Sequence, residues 1–331
     1  MKIKVFYIKK RIKEILIIFI FTILILLTFE ILARLYIKFV KGYSKIGISE
    51  RNLYLKYQPY IMWGKDLDRL ANDFYKKKSF KILIIGGSTA EGLKNEIIKK
   101  VFLESYLDIK EIDIINIASG GFNIRQEVIS AVLVSEKIIP DLILVLDGAN
   151  DITHSFRQGV KVGTPFIDQT YRIILEKPFF APIVFILQNS QLYNGLLRFL
   201  ARKNFSQKEA IVKVDKAVEL YLQTRNFLNY YSKGRKIPII FMLQPYVGFS
   251  NLPENQIAKN IYLFSDYVVK YGFEKITSAP SQDICFIDGN HEIKMKNLYL
   301  DFTDNVHFKG DIGYEYISSL FVTAYKNCYR N

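Results

Sequence analysis

The sequence predicts an α/β fold on a central parallel five-stranded sheet, and three observations carry that prediction. Short apolar runs recur at 81–86, 113–117, 142–146, 238–243 and 284–288. Stretches with helical spacing of apolar residues separate them, as βαβ units require. The first run breaks into the glycine-rich turn Gly86-Gly87-Ser88-Thr89-Ala90-Glu91-Gly92, which would present a serine at the carboxyl edge of the sheet, where open α/β folds place their sites.

The chain has 331 residues, half of them hydrophobic, enough to bury a full core and too apolar for disorder. Its net charge of +14 first suggests an acidic partner such as nucleic acid. Residues 1–45, however, hold ten Lys or Arg against two acids. The excess is mostly local, so nucleic-acid binding is disfavoured.

That local charge flanks an apolar stretch. Residues 1–14 read as a short basic cytoplasmic tail, 15–37 as a transmembrane anchor, 38–79 as a lead-in packed on the domain, and 80–331 as the main α/β domain with an insertion at about 155–208. The uncharged core, Ile15 to Phe29, continues through Ile31-Leu32-Ala33, approaching the ~20 residues a spanning helix needs. Glu30 and Arg34, four apart on one helical face, are placed to pair near the far interface. A cleaved signal peptide is the competing reading, but no clear small-x-small site follows the stretch. Lys2, Lys4, Lys9, Lys10, Arg11 and Lys13 favour a cytoplasmic N-terminus, which puts the bulk of the chain outside the membrane.

Between the strands, Ile124, Val128, Ile129, Ala131, Val132 and Ser135 keep one apolar helical face. Ala210 to Tyr231 carries Ile211, Val214, Ala217, Val218, Tyr221, Leu222 and Phe227 at roughly helical spacing. A last helix from about Gly310 turns Tyr314, Ile317, Leu320, Phe321 and Ala324 inward. Segment 155–208 breaks the rhythm and reads as an insertion. Its apolar piece, 179–187, contains a proline and is too short to span a membrane, so core packing is favoured over bilayer contact. Cys285 lies in an apolar run and reads first as a small buried hydrophobe, with a bridge to Cys328 as the alternative in an oxidising compartment.

The residues with chemical potential stand at strand ends. After the second strand comes Asn116-Ile117-Ala118-Ser119-Gly120-Gly121-Phe122, where a glycine N–H can face the site. The third strand ends in Gly148-Ala149-Asn150-Asp151, whose Asn can donate its amide as an oxyanion ligand. Near the C-terminus stands Asp304-Asn305-Val306-His307. An Asp three residues before a His can accept the imidazole Nδ1–H and turn Nε2 towards a serine. Asp301, six residues before the His, is the lesser candidate. The chain has only two other histidines, His154 and His291, and neither has a ligand cluster around it in sequence.

Together these four segments resemble the SGNH, or GDSL-type, serine hydrolases. Gly86-Gly87-Ser88-Thr89 is similar to the first block in its GGST form, with Gly87 where many members have Asp. Gly121 sits at the second block's oxyanion glycine, Gly148 to Asp151 matches GxND, and Asp304 to His307 matches DxxH. The resemblance covers residues 78–325 and implies a three-layer flavodoxin-like domain. It implies a triad of Ser88, Asp304 and His307, and an oxyanion hole from the N–H groups of Ser88 and Gly121 with the Asn150 side chain. No metal and no cofactor are implied.

The function expected is a membrane-anchored, extracytoplasmic ester hydrolase, with O-acetyl groups of a surface polysaccharide as the expected target. An O-acyltransferase with the same triad and a non-catalytic glycan-binding module are the alternatives. A nucleotide site is disfavoured because the glycines do not fit G-x-G-x-x-G and no P-loop Lys-Ser or Lys-Thr follows. Nothing in the sequence specifies an oligomeric state.

Overall fold

The computed structural model describes residues 2–41, 56–58, 60–75, 78–105, 109–156, 161–164, 179, 183, 190, 206–247, 263–279, 283–295, 302–303 and 306–330. The chain divides into two compact units, Met1–Leu53 with Thr170–Lys203, and Tyr54–Gln169 with Asn204–Asn331.

The first unit is built on α1 (Lys2–Lys41). Its Arg11–Leu35 stretch has a mean hydropathy of 3.0 and is not buried by the rest of the protein. At 1.5 Å per residue it extends roughly 37 Å, long enough to cross a bilayer. Thr22 and Thr28 turn their hydroxyls back onto the Ile18 and Leu24 carbonyls, so they present no unsatisfied donor. Arg34 Nε donates to Glu30 Oε1 at 2.8 Å, the pairing expected from their spacing. The Ser190 hydroxyl donates to the other Glu30 oxygen, also at 2.8 Å. Thus the middle of the 155–208 insertion groups with the apolar helix, and this carboxylate is one physical tie between them; of the apolar piece 179–187, only Phe179 and Ile183 are among the described residues.

The second unit begins with an antiparallel hairpin, β1 (Lys56–Gln58) and β2 (Met62–Gly64), and α2 (Leu67–Phe74), N-capped by Asp66. Five parallel strands follow: β3 (Phe80–Gly86), β4 (Ile112–Asn116), β5 (Leu142–Asp147), β6 (Ile239–Leu243) and β7 (Cys285–Asp288), in the spatial order β4-β3-β5-β6-β7. That is the flavodoxin order, and its switch point lies between β3 and β5. Ile82 to Ile85 and all six residues of β5 are buried, as strands covered on both faces must be.

The pleat sorts these side chains between two layers. Ile82, Ile84, Leu142, Leu144, Ile240 and Met242 share a core cluster with α4 (Asn95–Leu103) and α10 (Ile312–Tyr329). The other side carries α5 (Ile124–Ser135), α7 (Gln207–Arg235) and α8 (Leu263–Ser278), with α7 packed on both of the others. Three short helices, α3 (Ser88–Glu91), α6 (Ala149–Ser155) and α9 (Gly289–Met295), each follow a strand directly.

Two helical faces differ from expectation. In α5, Ile129 is exposed while Gln126, Glu127 and Ser130 are buried; in α7, Phe227 is exposed and Arg225 is 1% exposed. Hydrogen bonding explains part of this. Gln126 closes the capping box with Asn123 and donates to the Ile61 carbonyl at 2.7 Å, so it is worth more inside than out. The guanidinium of Arg225 lies 5.2 Å over the Phe286 ring. In α10, Tyr314, Ile317, Leu320, Phe321 and Ala324 are all buried as expected. Cys285 is bonded to Cys328, with Cα atoms 6.1 Å apart, which corrects its reading as a free buried thiol. The bond joins β7 to the last turn of α10, a juxtaposition created only by the fold.

Candidate active site

The carboxyl ends of β3, β4 and β5 converge, and each ends in a glycine-dependent turn. Gly86 has φ +150, and a Cβ there would lie 2.2 Å from the Leu146 carbonyl oxygen and 2.5 Å from the Ala90 Cβ. Only glycine lets β3 turn so sharply beside β5. Gly87 caps α3, so Ser88 is its first residue. The first-turn N–H groups of a helix have no carbonyl partner within it, so the Ser88 N–H is available to a ligand.

The β4 turn is laced onto the β3 turn. Asn116 Nδ2 donates to the carbonyls of Ala90 and Leu93 at 2.9 and 3.2 Å, while its Oδ1 accepts from the Ala118 N–H at 3.0 Å. Ser119 N–H donates to the Gly86 carbonyl at 3.1 Å. Phe122 N–H then donates to the Ser119 carbonyl, closing a turn with Gly121 at φ +81. From β5, Asn150 Nδ2 donates to the Phe122 carbonyl at 2.8 Å. A Cβ on Gly87 would lie 2.4 Å from the same Nδ2, so the Asn150 amide sits directly against the residue that precedes Ser88.

The histidine arrives from the other end of the domain. An antiparallel bridge pairs Phe302 with Phe308, and Thr303 donates through both its N–H (2.8 Å) and its hydroxyl (3.2 Å) to the His307 carbonyl. Phe308 packs against Tyr314 with ring centroids 5.2 Å apart, anchoring the loop to α10. Thr89 Oγ1 donates to the Val306 carbonyl at 3.2 Å and accepts from Gln244 Nε2 at 3.3 Å. The result is a 2.6 Å hydrogen bond between His307 Nε2 and Ser88 Oγ, across 219 positions of sequence.

Ser88, His307, Gly121 and Asn150 therefore all lie at one edge of the sheet, while Asp304 and Asp301 lie outside the described residues. His154 is buried in α6, and His291 is exposed on α9. Among the described residues, no group of three or more His, Cys, Asp or Glu could hold a metal ion.

Behind this edge lies a set of buried acids that the sequence did not single out. Both Asp151 oxygens lie 3.2 Å from the Ile124 N–H, tying α6 to the start of α5. Asp147 accepts from the Tyr221 hydroxyl at 2.7 Å, with Glu127 beside it. Burial pushes the Asp147 carboxyl up to about 6 against the opposing Tyr221 hydrogen bond. Burial, with the charges of Asp147 and Asp151, holds Glu127 well above the usual carboxylate range; burial and Asp147 do the same for Asp151. The only sequence signal for any of them was the acid that follows Asn150. Glu127 reads as a surface residue, because hydropathy periodicity assigns every acid outward.

A parallel sheet in flavodoxin order, with the GGST, Gly121, GxND and His307 segments at one edge, is the arrangement the sequence resemblance implied. The chain has the flavodoxin-like α/β fold that the resemblance implied. No family model matches it, and no curated protein matches it. Solved structures similar to it include an acetyl xylan esterase (13% identity over 74% of this chain and 98% of that one, TM-score 0.43). Others are a lipase/acylhydrolase from Enterococcus faecalis (13%, 75% and 95%, TM-score 0.36) and a member of the lipolytic protein G-D-S-L family from Veillonella parvula (14%, 76% and 98%, TM-score 0.36). At such identities and TM-scores the matches assign no chemistry to this chain, which must be read from its own residues.

Proposed function

We propose that the protein is a membrane-anchored serine ester hydrolase whose catalytic unit works outside the cytoplasmic membrane on O-acyl groups of a surface polysaccharide. The observation that carries the chemistry is the 2.6 Å contact between His307 Nε2 and Ser88 Oγ. At that distance the imidazole takes the hydroxyl proton as Oγ attacks the ester carbonyl. The carbonyl oxygen becomes an oxyanion facing the N–H groups of Ser88 and Gly121 and the Asn150 amide, each donor worth on the order of 3 kcal/mol in comparable sites. Collapse breaks the ester C–O bond, and the imidazolium returns its proton to the leaving alcohol. Water then gives a proton to His307 and its oxygen to the acyl carbon, releasing the carboxylic acid and restoring Ser88. Asp304 takes the role of orienting the imidazole through Nδ1.

The location is supported by the apolar Arg11–Leu35 helix, the basic residues ahead of it and the Cys285–Cys328 bond, which suits an oxidising compartment.

The test is Ser88→Ala. It is expected to abolish both p-nitrophenyl acetate turnover and fluorophosphonate labelling of the purified protein, and undiminished labelling overturns the assignment. NMR of the surface polysaccharide in cells with and without active Ser88 then reads direction. Fewer acetyl groups in the active strain supports hydrolysis, and more supports transfer to sugar.

A further inference from the structure

A cleft of about 330 Å³, counting its open mouth, lies beside the candidate oxyanion hole. It runs between the start of α5, the α6 helix, a turn at 161–164 and the first half of α7, and Asn150 forms part of its wall. The same Asn150 amide lies against Gly87, the residue before Ser88, so the cleft and the Ser88 turn share a wall.

The charge of this lining is one-sided. Arg125 and Lys161 both line the cleft and are both exposed. The one protein contact of the Arg125 guanidinium is a 3.4 Å bond to the Gly163 carbonyl, and neither cation has a carboxylate partner among the described residues. The one acid in the described lining, Asp151, spends both oxygens on the Ile124 N–H. Burial moreover raises its pKa well above the usual range, which favours its neutral form. The backbone that carries Lys161 is also held in place. Thr164 donates twice to the Lys161 carbonyl, and Gly163 at φ +77 completes a tight turn beside Arg125.

We propose that this cleft binds an oxyanion group, carboxylate or phosphate, carried by the ester substrate, so that the preferred substrate is an acylated acidic glycan rather than a neutral one. The proposal rests on the ester hydrolase reading above. Arg125 supplies a planar fork suited to a two-oxygen acceptor, and Lys161 a mobile second charge.

The test compares the full-length protein in detergent on acetylated uronate oligosaccharide, acetylated sugar phosphate, acetylated neutral oligosaccharide and p-nitrophenyl acetate. At low salt, kcat/KM is expected to be about tenfold higher for an anionic sugar ester than for the neutral one, with the gap closing as salt screens it. The uronate and phosphate arms identify which oxyanion fits. Arg125→Gln with Lys161→Gln is expected to raise KM for the anionic ester about tenfold and leave p-nitrophenyl acetate turnover unchanged; Arg125→Lys with Lys161→Arg is expected to restore most of the preference. Equal kcat/KM on anionic and neutral sugar esters, or a preference that survives loss of both cations, overturns the proposal. If the wild type turns over none of these esters and Ser88 is not labelled by fluorophosphonate, the hydrolase reading fails instead. Calorimetry of uronate oligosaccharide and sugar phosphate on the Ser88→Ala protein then judges the cleft alone. Heat lost on neutralising both cations supports it, and no heat overturns it.

Discussion

Asn150 donates its amide to the Phe122 carbonyl, and the proposed mechanism asks the same group to face the developing oxyanion. Asn150→Ala removes both and leaves Ser88 and His307 in contact. Its expected effect is a 10²- to 10³-fold fall in kcat for p-nitrophenyl acetate with KM little changed, as befits a group used mainly in the transition state. Steady-state kinetics on the purified variant checks this. Thr89→Val tests a different function, because that hydroxyl donates to the Val306 carbonyl and accepts from Gln244. It is expected to cost about 1 kcal/mol of stability and to lower kcat about tenfold by loosening the segment that holds His307. Urea denaturation and kinetics on the same sample separate the two effects.

At the scale of elements, the Cys285–Cys328 bond closes a loop with a sequence separation of 43 and fastens α10 to β7. Cys328→Ser is expected to lower unfolding free energy by about 2 to 4 kcal/mol while sparing activity at 25 °C, since both sulfurs lie away from Ser88 in the fold. Chemical denaturation gives the first number and p-nitrophenyl acetate turnover the second. The strands themselves were legible in the sequence because fully buried parallel strands need unbroken apolar runs, and the five runs fall within a residue or so of β3 to β7. The helices were legible in position and less so in facing. α5 and α7 bury Gln126, Glu127 and Arg225, polar groups whose partners come from other elements and leave no trace in local periodicity. The same reason left the Cys285–Cys328 bridge as the second reading, because two cysteines in different elements carry no pairing information of their own. The site residues were legible for the opposite reason. Gly86, Gly121 and Gly148 mark backbone angles that the turns at strand ends demand, and Ser88 and Asn150 stand beside two of them.

Across the whole molecule, the buried acids set a pH dependence of sign opposite to the usual one. The folded protein holds the Asp147 proton up to about pH 6, whereas the unfolded chain releases it near the ordinary aspartate value of 3.8. Between those limits the native state binds more protons, so stability falls as pH rises and levels off above about 6. Glu127 and Asp151 are shifted in the same direction. Asp147→Asn keeps an acceptor for the Tyr221 hydroxyl and removes one ionisable group. It is expected to melt a few degrees above the wild type at pH 8 and close to it at pH 4, read from thermal unfolding across the series. Fractionation tests the anchor at the same scale. The full chain is expected in the membrane pellet, resistant to salt and carbonate and released only by detergent.

Ser88 and His307 stand 219 positions apart, and the turn around Ser88 is laced directly to the segment carrying the histidine. A ribosome that has made the serine turn has therefore made no base for it. On the proposed mechanism a nascent chain carries the hydroxyl but lacks the group that takes its proton until the segment before α10 folds back onto the end of β3, and a prematurely ended chain never gains it. Activity is thus a readout of a finished chain, and products truncated before His307 are expected to be silent towards fluorophosphonate even where their serine turn has formed.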